Sequence, residues 1–492
     1  MTTVLKRWGV CALAVLLTAC GQDTDQRLQE TIERQEIAAK PSVDLPIPAA
    51  DEPLAELGRA LFFSPHLSGG GDVACVSCHH PFRGGDEDLS LAVGINAEDP
   101  LLFGHRRKLD ESKMVGDNMG HKGMATMPRN VPTDFASTYY QKALFWDGRV
   151  RFDEVQGNSQ VVTPDSLFDT PDHRVIEGDL LFAQTRFPVT NPDEMLGFET
   201  PYANTDGVRL AIEARMRSVQ NEAGEGVWLP AFQRGLQEPD ADESIISFFN
   251  ISKAITAYIR SKDFIDTPWA RYVEGDKEAL NQRQKRGAAL FFQAKGDGQS
   301  CASCHRPPFF SDERYYNLAV PQIGPGMDKL DADYGRKRVT RNNADQFRFR
   351  TPSLLNVEHT APYMHNGAYE TLFDTVWHHI HPEKSIEQYD FTLQHLLQFE
   401  GRDVSKDYPH MKANTEFALN KARENGLPEL DYTREEVELI VSFLEALTDP
   451  CIESEQCMSA WMPTDAEIKQ LKLLDMRLSS PEGRPQSERL FQ

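Results

Sequence analysis

Two short segments of the 492-residue chain repeat one pattern: Cys75-Val-Ser-Cys78-His79 and Cys301-Ala-Ser-Cys304-His305. A Cys-x-x-Cys pair followed at once by histidine is the attachment motif of c-type haem. The two thiols add across the porphyrin vinyl groups, and the next residue turns its imidazole onto the iron. The same thiol spacing occurs in zinc half-sites and in thioredoxin-like redox pairs. Repetition with the histidine in place both times favours haem. A chain that must enclose two flat, apolar macrocycles needs two cores, and 492 residues suffice for them.

Composition supports a globular chain, with 40% hydrophobic and 26% charged residues. The 52 basic and 75 acidic residues leave a net charge of −23. That excess excludes bulk nucleic-acid binding, which needs a basic face against the phosphates. It leaves small substrates and positively charged protein partners. Eight cysteines are too few for a disulfide scaffold of this length, so their placement carries the information.

The N-terminus reads as an export signal. Lys6 and Arg7 precede an apolar run from Val10 to Leu17, too short to span a bilayer. Leu17-Thr18-Ala19-Cys20-Gly21 resembles a bacterial lipobox, in which Cys20 becomes the acylated first residue. Several acyl chains on one residue anchor stably. Gln22, where an aspartate would retain a lipoprotein at the inner membrane, points to the outer membrane. Export also suits c-type haem, which is attached outside the cytoplasmic membrane. An oxidising compartment leaves room for a small disulfide loop between Cys451 and Cys457.

Residues 20–50 are polar and then proline-containing, and read as a tether with one short helix. An internal duplication follows: Gly58-Arg-Ala-Leu-Phe-Phe63 precedes the first haem motif and Gly287-Ala-Ala-Leu-Phe-Phe292 the second. Each reads as a helix whose aromatic face packs on the haem. Glu243 to Tyr272 carries apolar residues at helical spacing. Thr433 opens a final helix with Glu436 completing a capping box, and Pro450 lies beyond its end. The fold class expected is mainly α: two cytochrome c-like haem domains from an internal duplication, with long irregular loops near 95–130, 150–180 and 320–350. The organisation expected is a signal at 1–19, a tether at 20–50, haem domains at 51–280 and 281–450, and a tail at 451–492.

Further motifs run between and beyond the haem sites: Arg129-Asn130-Val-Pro132-Thr133, Phe145-Trp146-Asp147-Gly148-Arg149, and Pro188-Val-Thr-Asn191-Pro192-Asp-Glu194-Met195. Arg350-Thr-Pro352-Ser-Leu-Leu-Asn356 leads into Thr360-Ala-Pro362-Tyr363-Met-His365-Asn-Gly367. With these in order, residues 50 to 450 resemble the bacterial di-haem cytochrome c peroxidase / MauG family. The resemblance implies that peroxide reacts at the N-terminal haem, with His79 as proximal ligand, while the C-terminal haem passes electrons. It places Gln184, Pro188 and Glu194 on the distal side of the first haem. A carboxylate there moves the peroxide proton from the inner to the outer oxygen, which is general acid–base catalysis. Gln184 would orient Glu194, and Pro188 would crowd the sixth position. Trp146 matches a tryptophan between the haems, and Asn130, Thr360 and Pro362 match positions around a calcium ion, for which oxygen ligands are suited.

Two departures from the family pattern matter. Many members have a histidine that occupies the reactive iron until the other haem is reduced; the matching position, sixteen residues after His79, is Ile95. His105 and His121 lie downstream, and nothing in their spacing requires either as a replacement. The expectation is a first haem ready for peroxide without reductive activation. The distal ligand of the second haem falls nineteen residues after Thr360, at His379 in Trp377-His378-His379-Ile380-His381. A histidine pair with His305 makes a low-spin site of lower potential than a His/Met one. His378 should face elsewhere on a helix, about 100° away, and His381 is the fallback.

The leading functional expectation is a periplasm-facing, lipid-anchored peroxidase that reduces hydrogen peroxide with electrons from a small c-type cytochrome or cupredoxin. The acidic surface suits a basic donor patch. The alternative is a MauG-like oxidase that uses peroxide to oxidise tryptophan or tyrosine of a partner protein, toward which Ile95 and His379 both point. A non-catalytic electron-transfer cytochrome is the third, and the Gln184/Glu194 pair argues against it. The only membrane contact expected is the lipid.

Overall fold

The computed structural model describes residues 24–110, 112, 125–155, 158–162, 179–197, 201–202, 204–295, 298–427 and 430–476. Cys11, Cys20 and His121 lie outside the described residues. Helices dominate, beside a three-stranded antiparallel sheet (Ala143–Leu144, Val150–Val155, Asn158–Val162) and a two-stranded one (Tyr315–Tyr316 with Phe349–Arg350). No helix of the described residues is long and apolar enough to cross a membrane.

The duplication is visible as two equivalent helix crossings. Helix Pro53–Phe62 packs on Phe248–Arg260, and Gln282–Phe292 packs on Arg434–Glu445. At each crossing a glycine meets backbone. A Cβ on Gly58 would lie 1.9 Å from the Ala254 carbonyl oxygen, and one on Gly287 would lie 1.9 Å from that of Leu439. Any side chain there would force the helices apart, so the glycine that opens each repeat is fixed by close approach. The Phe-Phe pairs that end the helices, Phe62/Phe63 and Phe291/Phe292, are buried in two separate apolar cores.

Local signals set the helix ends. Thr433 accepts from the Glu436 backbone N–H while Glu436 Oε2 accepts from that of Thr433, which completes the capping box. Val437, Ile440 and Leu444 form the buried stripe. The apolar spacing of 243–272 resolves into a 3₁₀ turn at Glu243–Ile245, a helix at Phe248–Arg260 capped by Ser247, and a helix at Pro268–Val273. Phe249, one of the apolar residues at that spacing, is exposed.

Both ends of the described chain fold back. Residues 24–34, expected within a tether, form a helix whose Leu28 and Ile32 enter the second core, and Asp25 pairs with Lys285 at 3.0 Å. Polar composition hid this docking, because only one stripe of that helix is apolar. The tail, closed at its base by a Cys451–Cys457 disulfide, crosses to the first core, where Leu471, Leu473 and Met476 are buried.

Candidate haem sites

Both Cys-x-x-Cys-His segments adopt the same turn. The serine between the cysteines accepts a hydrogen bond from the backbone N–H just before the first cysteine: Ala74 to Ser77 Oγ at 3.1 Å and Ser300 to Ser303 Oγ at 3.0 Å. The histidine N–H then donates to the first cysteine carbonyl, at 2.9 Å in both. Each turn thus presents two thiols and one imidazole in the same relation. His79 Nδ1 donates to the Gly85 carbonyl at 3.1 Å and His305 Nδ1 to that of Phe310 at 3.0 Å. Pinning Nδ1–H leaves the Nε2 lone pair for a metal. Burial lowers the basicity of both rings, and that of His305 falls to about 4, which keeps them neutral and able to ligate.

The thiols do not favour the competing readings. All four are free, and burial pushes Cys75 and Cys301 up to about 12. A redox dithiol needs the opposite shift. Among the described residues, the one cluster of histidine and acidic groups spaced for a metal ion is Glu358, His359 and Glu453, which includes no cysteine. A zinc half-site with four ligands is therefore not built at either pair. Un-ionised buried thiols beside a neutral imidazole fit covalent haem.

At the second site a cavity of about 500 Å³ is lined by Cys301, Cys304, His305 and His379. His379 sits on helix Leu372–Ile380, capped by Thr371. Its Nδ1 donates to the Thr375 carbonyl at 2.8 Å, again freeing Nε2. The His305 and His379 ring centroids are 6.5 Å apart, a separation that admits one metal between two imidazole nitrogens, each at about 2 Å. His378, one residue earlier, is buried with both ring nitrogens engaged, by Tyr369 and Ser385 on one side and the Leu318 carbonyl on the other. His381 caps the helix end and packs against Trp377.

Around the first site, Ile95 is buried in the same core as Phe62, Phe63 and Val76. Glu194 lies in a π-helical turn, Pro192–Leu196, that is clamped by glycines. Gly69 N–H donates to the Met195 carbonyl at 2.7 Å, and a Cβ on Gly94 would lie 2.5 Å from the Glu194 carbonyl oxygen. Burial raises the Glu194 carboxyl above its usual range, opposed by Arg149, and its charge is felt at both Cys75 and Cys78. The hydrogen bond to the carboxylate comes from Asn191 Nδ2 at 2.8 Å, with Arg149 at 4.0 Å. Gln184, expected to orient Glu194, ends helix Leu180–Gln184 and gives its carbonyl to Phe187; Asn191 holds the carboxylate because it caps the same turn. Pro188 opens a 3₁₀ turn just before.

Residues 52–278 match the family described as di-haem cytochrome c peroxidase. Over that stretch the chain is similar to this family. Cytochrome-c peroxidase IdrP1 of Pseudomonas sp. strain SCT is 28% identical over 396 residues, covering 75% of this chain and 80% of the relative. Methylamine utilization protein MauG of Methylorubrum extorquens is 27% identical over 431 residues, covering 83% and 95%. The solved structure of a MauG-like protein associated with microbial copper homeostasis superposes with a TM-score of 0.54 at 21% identity, covering 86% of this chain and 96% of that one. That likeness extends the shared fold over both haem regions.

One wall of the second cavity carries the motif residues that the resemblance places between the haems. Trp146, Asn130, Thr360 and Pro362 all line the cavity at His305 and His379. The Trp146 indole donates to the Asn130 carbonyl at 2.9 Å, and its own carbonyl accepts from Arg350 N–H at 2.8 Å. Asn130 Nδ2 is taken by the Leu89 carbonyl at 2.9 Å. Beneath this wall Arg129 is buried between Asp333 at 2.6 Å and Asp147 at 2.8 Å, and Asp147 holds Arg149 at 3.5 Å. A charged chain therefore runs from Asp333 to Glu194. Arg149 and Asn191 were present in the sequence motifs, but only folding brings them to the carboxylate.

Proposed function

We propose that the chain reduces hydrogen peroxide to water at the His79 haem, with two electrons arriving one at a time through the His305/His379 haem. The donor is a small c-type cytochrome or cupredoxin with a basic face. Covalently held haem supplies the iron that binds peroxide and the path for electrons. Glu194 carries this reading: a partly buried carboxylate whose charge acts on both Cys75 and Cys78 and which accepts from Asn191 Nδ2. It takes the proton from the inner peroxide oxygen and returns it to the outer one as the O–O bond breaks. Two further protons complete two waters. Pro188 and Gln184 border this pocket, and Trp146 relays electrons. Asn130, Thr360 and Pro362 hold a calcium ion through oxygens. Residues 51–280 form the peroxidatic domain and 281–450 the electron-transfer domain. Cys20 carries the lipid that anchors the protein at the periplasmic side of the outer membrane.

A specific observation favours the second reading, oxidation of tryptophan or tyrosine on a partner protein. Ile95 is buried where a displaceable histidine would stand, so the first haem needs no reductive activation. One experiment separates the two: mix the oxidised protein with peroxide and an excess of reduced cytochrome c. Rapid multiple-turnover oxidation of the cytochrome supports the peroxidase. Peroxide consumption that leaves the cytochrome reduced supports the oxidase, and no reaction with peroxide overturns both.

A further inference from the structure

Lys262 has no solvent exposure, an unusual state for an ammonium. Its Nζ lies 2.5 Å from Asp134 Oδ2, 4.1 Å from the ring centroid of Phe62 and 4.4 Å from that of Tyr258. Phe62 in turn faces the His79 ring at 6.5 Å. The other oxygen, Asp134 Oδ1, is buried without a hydrogen-bond partner. It presses against Gly85, where a Cβ would lie 2.3 Å away. Gly85 is the residue whose carbonyl accepts from His79 Nδ1. Thr133 Oγ1 reaches the Gly84 carbonyl, and Ala136 N–H donates to the Lys262 carbonyl at 3.1 Å. Residues 133–136 therefore bridge Lys262 to the loop that carries the proximal hydrogen bond.

We propose that Lys262 and Asp134 are positioning residues for the first haem: a buried charge pair that fixes the Gly84–Gly85 loop behind His79 and sets the electron affinity of its iron. The carboxylate end of the pair faces the His79 hydrogen bond and pushes electron density toward the metal. The ammonium end cancels that charge in a medium where Coulomb forces act with little screening. Second-shell hydrogen bonds and local charge are levers by which a protein tunes a haem. The second site is built differently: His305 Nδ1 meets the Phe310 carbonyl, and the buried carboxylate whose charge acts on His305, that of Asp312, accepts from the Tyr316 hydroxyl at 2.8 Å, with no lysine or arginine paired to it among the described residues. The proposal rests on haem attachment at Cys75, Cys78 and His79, not on which reaction follows.

The test is spectroelectrochemistry of the full chain carrying both haems. In Lys262→Met the midpoint potential of the first haem should fall while that of the second stays. In the double variant Lys262→Met/Asp134→Asn it should return toward the parent value. An unchanged first-haem potential in Lys262→Met at every pH from about 6 to about 9, a range wide enough to ionise a buried carboxylate, would overturn the proposal. Equal shifts at both haems would do the same. If Lys262→Met does not accumulate as folded protein, Asp134→Asn decides. A raised first-haem potential or a lowered iron–histidine stretching frequency supports the proposal, and neither moving overturns it. The haem count of the same samples separates this from the attachment reading: fewer than two c-type haems per parent chain overturns both.

Discussion

The two haem regions are alike on the cysteine side and unlike everywhere else. Each uses a serine-buttressed turn, a Phe-Phe helix end and a glycine crossing. Beyond the proximal histidines they diverge. The second region closes with a second imidazole, His379, in a cavity whose apolar lining is shared with Asn130, Tyr316 and Arg350. The first places no imidazole at Ile95 and instead gathers ionisable groups: the partly buried Glu194, and the buried Glu87 and Lys262–Asp134 pair. A coordination sphere filled by two neutral rings suits rapid electron passage with little rearrangement. A site that holds a buried carboxylate near its thiols suits proton movement. Duplication supplied the scaffold, and the far sides of the two sites differ in the groups they present.

The largest break in that contrast should come from Glu194→Gln, which keeps shape and removes the proton acceptor. Peroxide turnover by stopped flow should fall by roughly 10²–10⁴-fold, the usual share of general acid–base catalysis. An unchanged rate would remove Glu194 from its role. On the other side, His379→Gly should convert the second haem from low-spin to high-spin bands. Persistence of the low-spin spectrum would hand the ligand position to a neighbour such as His381.

Arg149→Leu should act more gently. Glu194 works as a base only when ionised, so turnover is retained above its pKa and lost as pH falls through it. Burial already raises that pKa and Arg149 opposes the rise. Removing the guanidinium should move the acidic limb of the pH–rate profile upward by about one unit, and a limb that stays put or moves down would contradict the pairing. The smallest effect concerns Glu87, pushed up to about 8 chiefly by burial. A carboxyl whose folded pKa is raised favours the folded state at low pH, and that contribution fades as pH rises from the ordinary carboxylate range toward 8. Glu87→Gln should flatten the thermal stability–pH curve in that window, and a curve parallel to the parent's would argue that Glu87 stays ionised.

How far the chain could be read in advance differs by residue. The offset from Thr360 to His379 came from the family resemblance; the structure sets its ring 6.5 Å from that of His305, while His378, about 100° round the helix, is turned into a closed hydrogen-bond set. The Asn191–Glu194 contact was not read, though both residues stood in one motif, because a π-helical turn brings them together where a regular helix would not be assumed. A short helix was expected within residues 20–50, but not its docking on the second core, because its anchor, Asp25 to Lys285, spans a distance that no local pattern encodes.

Sequence alone determined what is local and covalent: which cysteines present thiols to each haem, which histidines follow them, the repeated glycine that lets helices touch, and the capping box at Thr433. These depend on spacing within a turn or two, where backbone geometry leaves few choices. Tertiary structure alone decided the electrostatics. Whether Arg149 approaches Glu194, whether Lys262 finds Asp134, and whether Met476 returns to accept from His80 at 2.8 Å depend on segments brought together by packing. Burial then sets how strongly the assembled charges act.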